Sequence, residues 1–383
     1  MFANQDIKGK TVLLRLDLNV PVDDAGKVTD FTRIDRVKPT IENLHKRGAK
    51  IVILSHFGRP KGGPDPKYSL QFLAPVLSQR WGTDVSFEGQ GDIVLKENMR
   101  FNPGEEKDDA GFAAQLARLG DLYVNDAFSV SHRAHASVHG IAKLLPSDAG
   151  MTMDAELSAL DAAVANPARP VAAIVGGSKI STKLDLLGNL VRKMDVLVLG
   201  GGMANTFAAA KGWNPQKSLY EADMLDTARA ITAQAEESGC QIILPVDCVA
   251  ADDYAPNANT KIVDRNDIPA GWQSLDIGPE SVKLIEEALE DCKTILWNGP
   301  VGVFEMPAFA NGTNNLAKWV AERTKTGAVV SVAGGGDTVA ALAQAGVTDD
   351  FTYISTAGGA FLEWLEGKEL PGVAILAKMK AAA

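Results

Sequence analysis

Three consecutive glycines, Gly334, Gly335 and Gly336, are followed by Asp337 and Thr338 in the stretch VVSVAGGGDTVAA. Ahead of them, Val329, Val330, Ser331, Val332 and Ala333 make a short β-branched run suited to a buried strand. Behind them, Val339, Ala340, Ala341 and Leu342 suit a helix. A strand that turns through glycines into a helix presents backbone N–H groups at the positive end of a helix dipole, which is a phosphate site. Asp337 adds a carboxylate suited to Mg²⁺, an ion that travels with nucleotide phosphates. The same residues also read as a tight turn with Asp337 and Thr338 as helix caps. The remainder of the chain decides between the two.

Four more glycine-bearing strand ends occur in the same half. Gly176 and Gly177 lead into Ser178, Lys179, Ile180, Ser181, Thr182 and Lys183. Gly200, Gly201 and Gly202 precede Met203; Asn298, Gly299, Pro300, Val301 and Gly302 precede Val303, Phe304 and Glu305; Ala357 precedes Gly358 and Gly359. Glycines at several strand ends let a ligand approach the backbone closely. A nucleotide fits, with Met203, Val303 and Phe304 for a base and Glu305 for ribose hydroxyls. Lys179 and Lys183, four apart, are expected to share a helix face, where two ammoniums repel unless an anion lies between them. No GxxxxGK[ST] is present, so the chain is not a P-loop NTPase; the lack of a helix-opening GxGxxG weakens a dinucleotide dehydrogenase.

The first half offers a different chemistry. Asp17, Asn19, His56, Arg59, Asn98, Arg100 and Asn125 stand at the ends of expected strands, with Arg33 and Arg133 on the loops that follow. One such arginine is usually a solvated surface residue. Repeated placement at strand ends points to a small, highly anionic ligand held by bidentate contacts. His132, His135 and His139 invite a metal reading, but no carboxylate or cysteine completes a set and Arg133 sits among them. Helix-end capping and hydrogen bonding are the expectation there.

These residues need parallel strands to hold them. Apolar runs at 11–16, 50–54, 93–95 and 122–124 alternate with helical patterns at 34–47, 70–81 and 109–119. That alternation means a parallel sheet with crossover helices. An amphipathic pattern at 153–166 ends in Pro167 and Pro170, which mark a boundary. Domains are therefore expected at 1–166 and 167–366. In the second, strands are expected at 171–175, 196–199, 241–244, 294–297, 329–333 and 353–355, with a loop-rich stretch running to Gly278. The chain has 383 residues, 46% hydrophobic, which is enough for two domains with real cores. A net charge of −10 argues against nucleic acid or an acidic membrane surface as partner. Cys240, Cys248 and Cys292 read as buried thiols of a reducing compartment. No apolar run reaches membrane-spanning length, and the expectation is a cytoplasmic protein.

Across nearly its whole length the chain resembles phosphoglycerate kinase. The resemblance rests on LRLDLNVP (14–21), SHFGRP (55–60), ENMRF (97–101), DAF with SHRAHAS (126–137), IVGGSKISTKL (174–184), GGGMANTF (200–207), WNGPVGVFE (297–305), AGGGDT (333–338) and STAGGAFLE (355–363). It implies two Rossmann-like α/β domains facing each other across a hinged cleft, with the tail 367–383 packed back on the first. It implies phosphoryl transfer from 1,3-bisphosphoglycerate to ADP, giving 3-phosphoglycerate and ATP, with Mg²⁺ and a monomeric protein. By motif, Asp17, Leu18, Asn19, Arg33, His56, Phe57, Gly58, Arg59, Arg100 and Arg133 would hold the glycerate. Arg33, Lys179 and Lys183 would act on the phosphoryl group. Lys183, Gly201, Gly202, Asn298, Pro300, Glu305, Gly335, Gly336, Asp337 and Thr338 would bind the nucleotide, with Asp337 reaching the metal. Two departures stand out. Ala357 replaces a usual glycine and would be strained if that position needs positive φ. Ser129, Val130 and Ser131 replace a usual Gly-Thr-Ala.

Overall fold

Short apolar runs bounded by polar turns become the strands of two parallel sheets. The structure, a computed structural model of the chain, describes residues 1–2 and 5–382. The chain divides into Met1–Ser158 with Glu369–Ala383, and Ala159–Lys368. The division falls inside the helix Met151–Leu160, ahead of residue 166, because the wide turn Asp161–Ala165 that continues this helix packs beside strands of the second unit.

The first unit holds β1 (Thr11–Arg15), β2 (Lys50–Leu54), β3 (Ser86–Phe87), β4 (Ile93–Leu95), β5 (Leu122–Asn125) and β6 (Ser147–Ala149). Their order is 3-4-2-1-5-6 and every pairing is parallel. The order reverses between β1 and β5, and in such sheets ligands gather outside the carboxyl ends at the reversal. Val12 and Leu14 on β1, Ile51 and Ile53 on β2 and Leu44 on a covering helix are fully or almost fully buried. The pattern over 34–47 is two helices, Thr32–Arg36 and Lys38–Lys46. Pro39 has no N–H to give to the carbonyl of Asp35, so the first helix stops there. The C-terminal helix Pro371–Ala382 is tied to this unit by the Gly372 N–H, which donates to Ser131 O at 2.9 Å, and by the Asn125 amide, which donates to Gly372 O at 3.4 Å.

The second unit holds β7 (Val171–Val175), β8 (Val196–Leu199), β9 (Gln241–Ile243), β10 (Asp247–Ala251), β11 (Thr260–Asp264), β12 (Gln273–Ile277), β13 (Thr294–Asn298), β14 (Val330–Gly334) and β15 (Tyr353–Ser355). Six form a parallel sheet in the order 15-14-13-7-8-9, reversing between β7 and β13. Every residue of β7, β8 and β13 is buried, as a sheet covered on both faces requires. The stretch expected to be loop-rich up to Gly278 is instead an antiparallel sheet of order 11-10-12. Its strands read TKIVD, DCVAA and QSLDI, five-residue runs each broken by charged or polar residues, and β11 is mostly exposed.

Candidate active site

The reversal point of the first sheet gathers most of the residues singled out in that half. The Arg33 guanidinium donates from Nη1 to Asp17 Oδ2 at 2.6 Å and to the carbonyl of Asn19 at 3.1 Å. Asn19 Oδ1 accepts the Gly58 N–H at 2.8 Å, and Arg100 Nη1 donates to the Gly58 carbonyl at 2.8 Å. Gly58 is required for two reasons. Its φ is +60°, and a Cβ there would stand 2.4 Å from the Tyr68 ring. Asn98 holds the loop from below, donating to the carbonyls of Phe57 and Tyr68 at 2.8 and 2.9 Å. Leu18 sends its side chain into the core, which leaves only its backbone to the surface of the cluster. Phe57 packs edge-on against Phe72, with ring centroids 5.2 Å apart. Arg59 and Arg133 are exposed.

Burial pushes the Asp17 carboxyl up, but the His56 ring, the Arg33 guanidinium, the Ser129 hydroxyl and the Asn19 amide together hold it below its ordinary value. Ser129 is part of the second departure in sequence, and it donates directly to Asp17. Burial, reinforced by the Arg15 guanidinium, holds His56 well below 6.5, so its ring is neutral at pH 7. Arg15 was not foreseen. It is 1% exposed at the end of β1 and reaches His56 Nδ1 from Nη2 at 3.2 Å. The signal was available: an arginine inside the apolar strand TVLLRL is costly to bury unless it has partners. The histidines hold no metal cluster; among the described residues no group of three metal-ligating side chains forms. His139 Nδ1 lies 2.6 Å from Asp108 instead.

In the second unit a cavity of about 660 Å³ opens at the reversal point between β7 and β13. Its walls include Gly176, Gly177, Lys183, Gly201, Gly202, Pro300, Glu305 and Asp337. The two strand-end turns touch backbone to backbone: a Cβ on Gly176 would stand 1.7 Å from the Pro300 carbonyl oxygen. Asn298 and Thr338 brace the wall. Asn298 Nδ2 donates to the Gly334 carbonyl at 2.8 Å, and Thr338 Oγ1 accepts the Gly299 N–H at 2.7 Å. Gly335, with φ +101°, caps the helix Gly336–Ala345, and Asp337 lies in its first turn.

Lys179 and Lys183 do not share a helix face. The helix begins at Leu184, and residues 179–182 form a turn fixed by the fully buried Ile180 and by two bonds from Ser181 to Glu221. Lys179 is exposed and outside the cavity lining. Lys183 is half-buried. Its Nζ donates to Gly176 O at 2.8 Å and Asn298 Oδ1 at 2.7 Å, and desolvation pulls its pKa down from 10.5 to about 8. Of the residues expected around a base, only Val303 lines the cavity; Met203 and Phe304 are buried in the core. Leu219, Tyr254 and Leu275 line the cavity too, with Asn205 on the helix Gly201–Ala210; of these only Leu275, on β12, comes from a strand the sequence did not reveal. Ala357 carries no strain, since its backbone lies outside the positive-φ region and Gly358, at +47°, takes that role.

The donor set fits magnesium brought in by phosphates. A lone carboxylate, Asp337, at a glycine-rich helix start leaves the other positions of an octahedral ion to phosphate oxygens and water.

A glycine-walled cavity holding an inward lysine, and a cation cluster on a second α/β sheet, are the marks of a nucleotide-dependent phosphotransferase. Comparison makes this specific. The family model for phosphoglycerate kinase matches residues 2–368. Phosphoglycerate kinase of Rhizobium leguminosarum is 56% identical over 386 residues, covering 97% of this chain and 96% of that one. The Agrobacterium fabrum protein of the same name is 56% identical over 390 residues, covering 98% and 97%. The solved phosphoglycerate kinase of Coxiella burnetii is 40% identical with a TM-score of 0.93, covering 98% of each chain. That of Pyrococcus horikoshii is 30% identical with a TM-score of 0.81, covering 100% and 99%. The chain belongs to the phosphoglycerate kinase family. It has that family's two-domain α/β fold and is a phosphotransferase with a carboxyl acceptor, interconverting 1,3-bisphosphoglycerate and 3-phosphoglycerate in glycolysis. Among the described residues no helix is long and apolar enough to cross a membrane.

Proposed function

We propose that the cavity of the second unit takes ADP or ATP, that the Asp17–Arg33–His56–Arg100 cluster takes the phosphoglycerate, and that the phosphoryl group passes directly in line between them. The observation that carries this reading is Lys183, a cation desolvated against carbonyl oxygens in a glycine-walled cavity, where the Asp337 carboxylate favours its charge but does not offset the desolvation. Such a group awaits an anion.

In the forward direction a β-phosphate oxygen of ADP attacks the phosphorus of the acyl phosphate. The bond from phosphorus to the acyl oxygen breaks, and its electron pair leaves on the carboxylate of 3-phosphoglycerate. The nucleophile is already ionised and the leaving group is a weak base, so neither a general acid nor a general base is required. Catalysis rests on positioning and charge. Asp17, Asn19, Arg33, His56, Arg59, Arg100 and Arg133 hold the glycerate and its phosphate, with the backbone of Leu18, Phe57 and Gly58 lining the site. Arg33 and Lys179 neutralise the phosphoryl group in flight. Lys183, Gly201, Gly202, Asn298, Pro300 and Glu305 hold the nucleotide; Gly335, Gly336 and Thr338 cradle its phosphates. Asp337 holds Mg²⁺, which when bound neutralises and orients those phosphates. Closure of the two units on both substrates excludes water from the transfer. The protein acts in the cytoplasm as a monomer.

Phosphoryl transfer with a chiral, isotopically labelled phosphate tests the direct step. Inversion at phosphorus is expected; retention would mean two displacements and a covalent enzyme intermediate.

A further inference from the structure

A chain of buried polar contacts runs from a carboxylate to His56. Glu105 is fully buried. Its Oε2 accepts the Ser137 N–H at 2.9 Å, and its Oε1 accepts the Ser137 hydroxyl at 2.6 Å. With its proton committed to Glu105, the Ser137 oxygen can only accept, and Arg15 Nε donates to it at 2.9 Å. Arg15 also donates to the Leu16 carbonyl, so its planar guanidinium is fixed at two corners. The remaining corner, Nη2, lies 3.2 Å from His56 Nδ1. A guanidinium has donors only, so Nδ1 must accept, and the ring proton sits on Nε2.

We propose that Glu105 is a positioning residue for His56: through Ser137 and Arg15 it fixes the ring as the Nε2–H tautomer, so that His56 meets an anionic substrate as a donor. The proposal rests on the reading of His56 as a substrate-binding residue. The order of parts explains why four side chains, each at most 3% exposed, are polar here rather than apolar. Each has a partner, and the partners point one way along the chain. Without the Glu105 carboxylate, the Ser137 hydroxyl is free to turn its proton toward Arg15. That would break the Nε contact, loosen the guanidinium and let His56 exchange tautomers.

The test uses Ser137→Ala, Glu105→Gln and His56→Ala in the full chain. Nitrogen-15 NMR of the histidine rings reads the tautomer, and steady-state assays read KM for 3-phosphoglycerate and for MgATP separately. Ser137→Ala should turn the His56 signals from a single Nε2–H form into a mixture. It should raise KM for 3-phosphoglycerate roughly tenfold, the scale of one hydrogen bond to a charged group, and leave KM for MgATP unchanged. Glu105→Gln keeps the shape and one acceptor and should show a smaller effect of the same kind. It also carries the test if Ser137→Ala fails to fold. A parent-like tautomer with a parent-like KM for 3-phosphoglycerate overturns the relay. So does a parent-like tautomer with both KM values raised together, which is the mark of a merely structural role. His56→Ala separates the two readings: if it leaves KM for 3-phosphoglycerate unchanged, the assignment of the substrate site fails instead.

Discussion

Replacing Lys183 by methionine should separate the stability of this protein from its nucleotide binding. In the ligand-free protein the Lys183 ammonium titrates at about 8 against an ordinary 10.5. At pH 7, below both values, that gap lowers folding stability by about 3 kcal/mol. Lys183→Met removes this penalty, but it leaves the Gly176 carbonyl and the Asn298 side-chain oxygen without their donor. Unsatisfied buried acceptors cost about 1–3 kcal/mol. The opposing effects nearly cancel, so the unfolding free energy should stay within about 2 kcal/mol of the parent. Nothing offsets the lost contact to phosphate, and ADP affinity should fall by about a hundredfold or more. Urea unfolding gives the first quantity and calorimetric titration with ADP the second. A variant destabilised by more than about 4 kcal/mol that still binds ADP normally would refute the reasoning and make Lys183 a structural cation.

The other expectations follow from the same geometry. With Arg33→Ala, turnover should drop about a hundred- to a thousandfold while calorimetric ADP affinity is unchanged, because one preorganised charge contact is lost; parent-like turnover would remove Arg33 from the chemistry. In the pH profile for the nucleotide, kcat/KM should fall as pH rises through about 8, where Lys183 loses its charge. Lys183→Arg should flatten that alkaline limb, since a guanidinium does not titrate there. The same proton should make ligand-free stability rise between about pH 8 and 10.5, because the unfolded chain still holds it in that window. Gly176→Ala would set a Cβ 1.7 Å from the Pro300 carbonyl oxygen. The turns must then part, which should cost about 3 kcal/mol in urea unfolding and abolish ADP binding.

How much of this was legible depended on whether a residue announces itself locally. The glycine turns at Gly176, Gly201, Gly299 and Gly335 were readable, because a backbone that must pass close to another has few alternatives to glycine. The parallel strands were readable too, since β7 and β13 are buried on both faces, β7 being apolar throughout and β13 apolar between Thr294 and Asn298. The antiparallel sheet was not, for its strands are short and β11 is exposed, so no buried apolar run marks it. Spacing alone misled at Lys179 and Lys183, where the burial of Ile180 overrides helical periodicity. Met203 and Phe304 had the right chemistry for a base but are turned into the core, Met203 by the rotation of its helix and Phe304 by the path of a turn, neither of which composition contains. Ser129, Ser137 and Glu105 support their neighbours through one or two hydrogen bonds across more than 30 residues, and no local pattern marks such partners.

The central claim is that the two sites work together on one phosphoryl group. The most direct measurement mixes the purified protein with 3-phosphoglycerate and MgATP in the presence of glyceraldehyde-3-phosphate dehydrogenase and NADH. The account predicts loss of NADH that requires every component and that fails in Arg33→Ala and in Lys183→Met at subsaturating ATP. Undiminished NADH, from a protein that binds ADP by calorimetry, would contradict it.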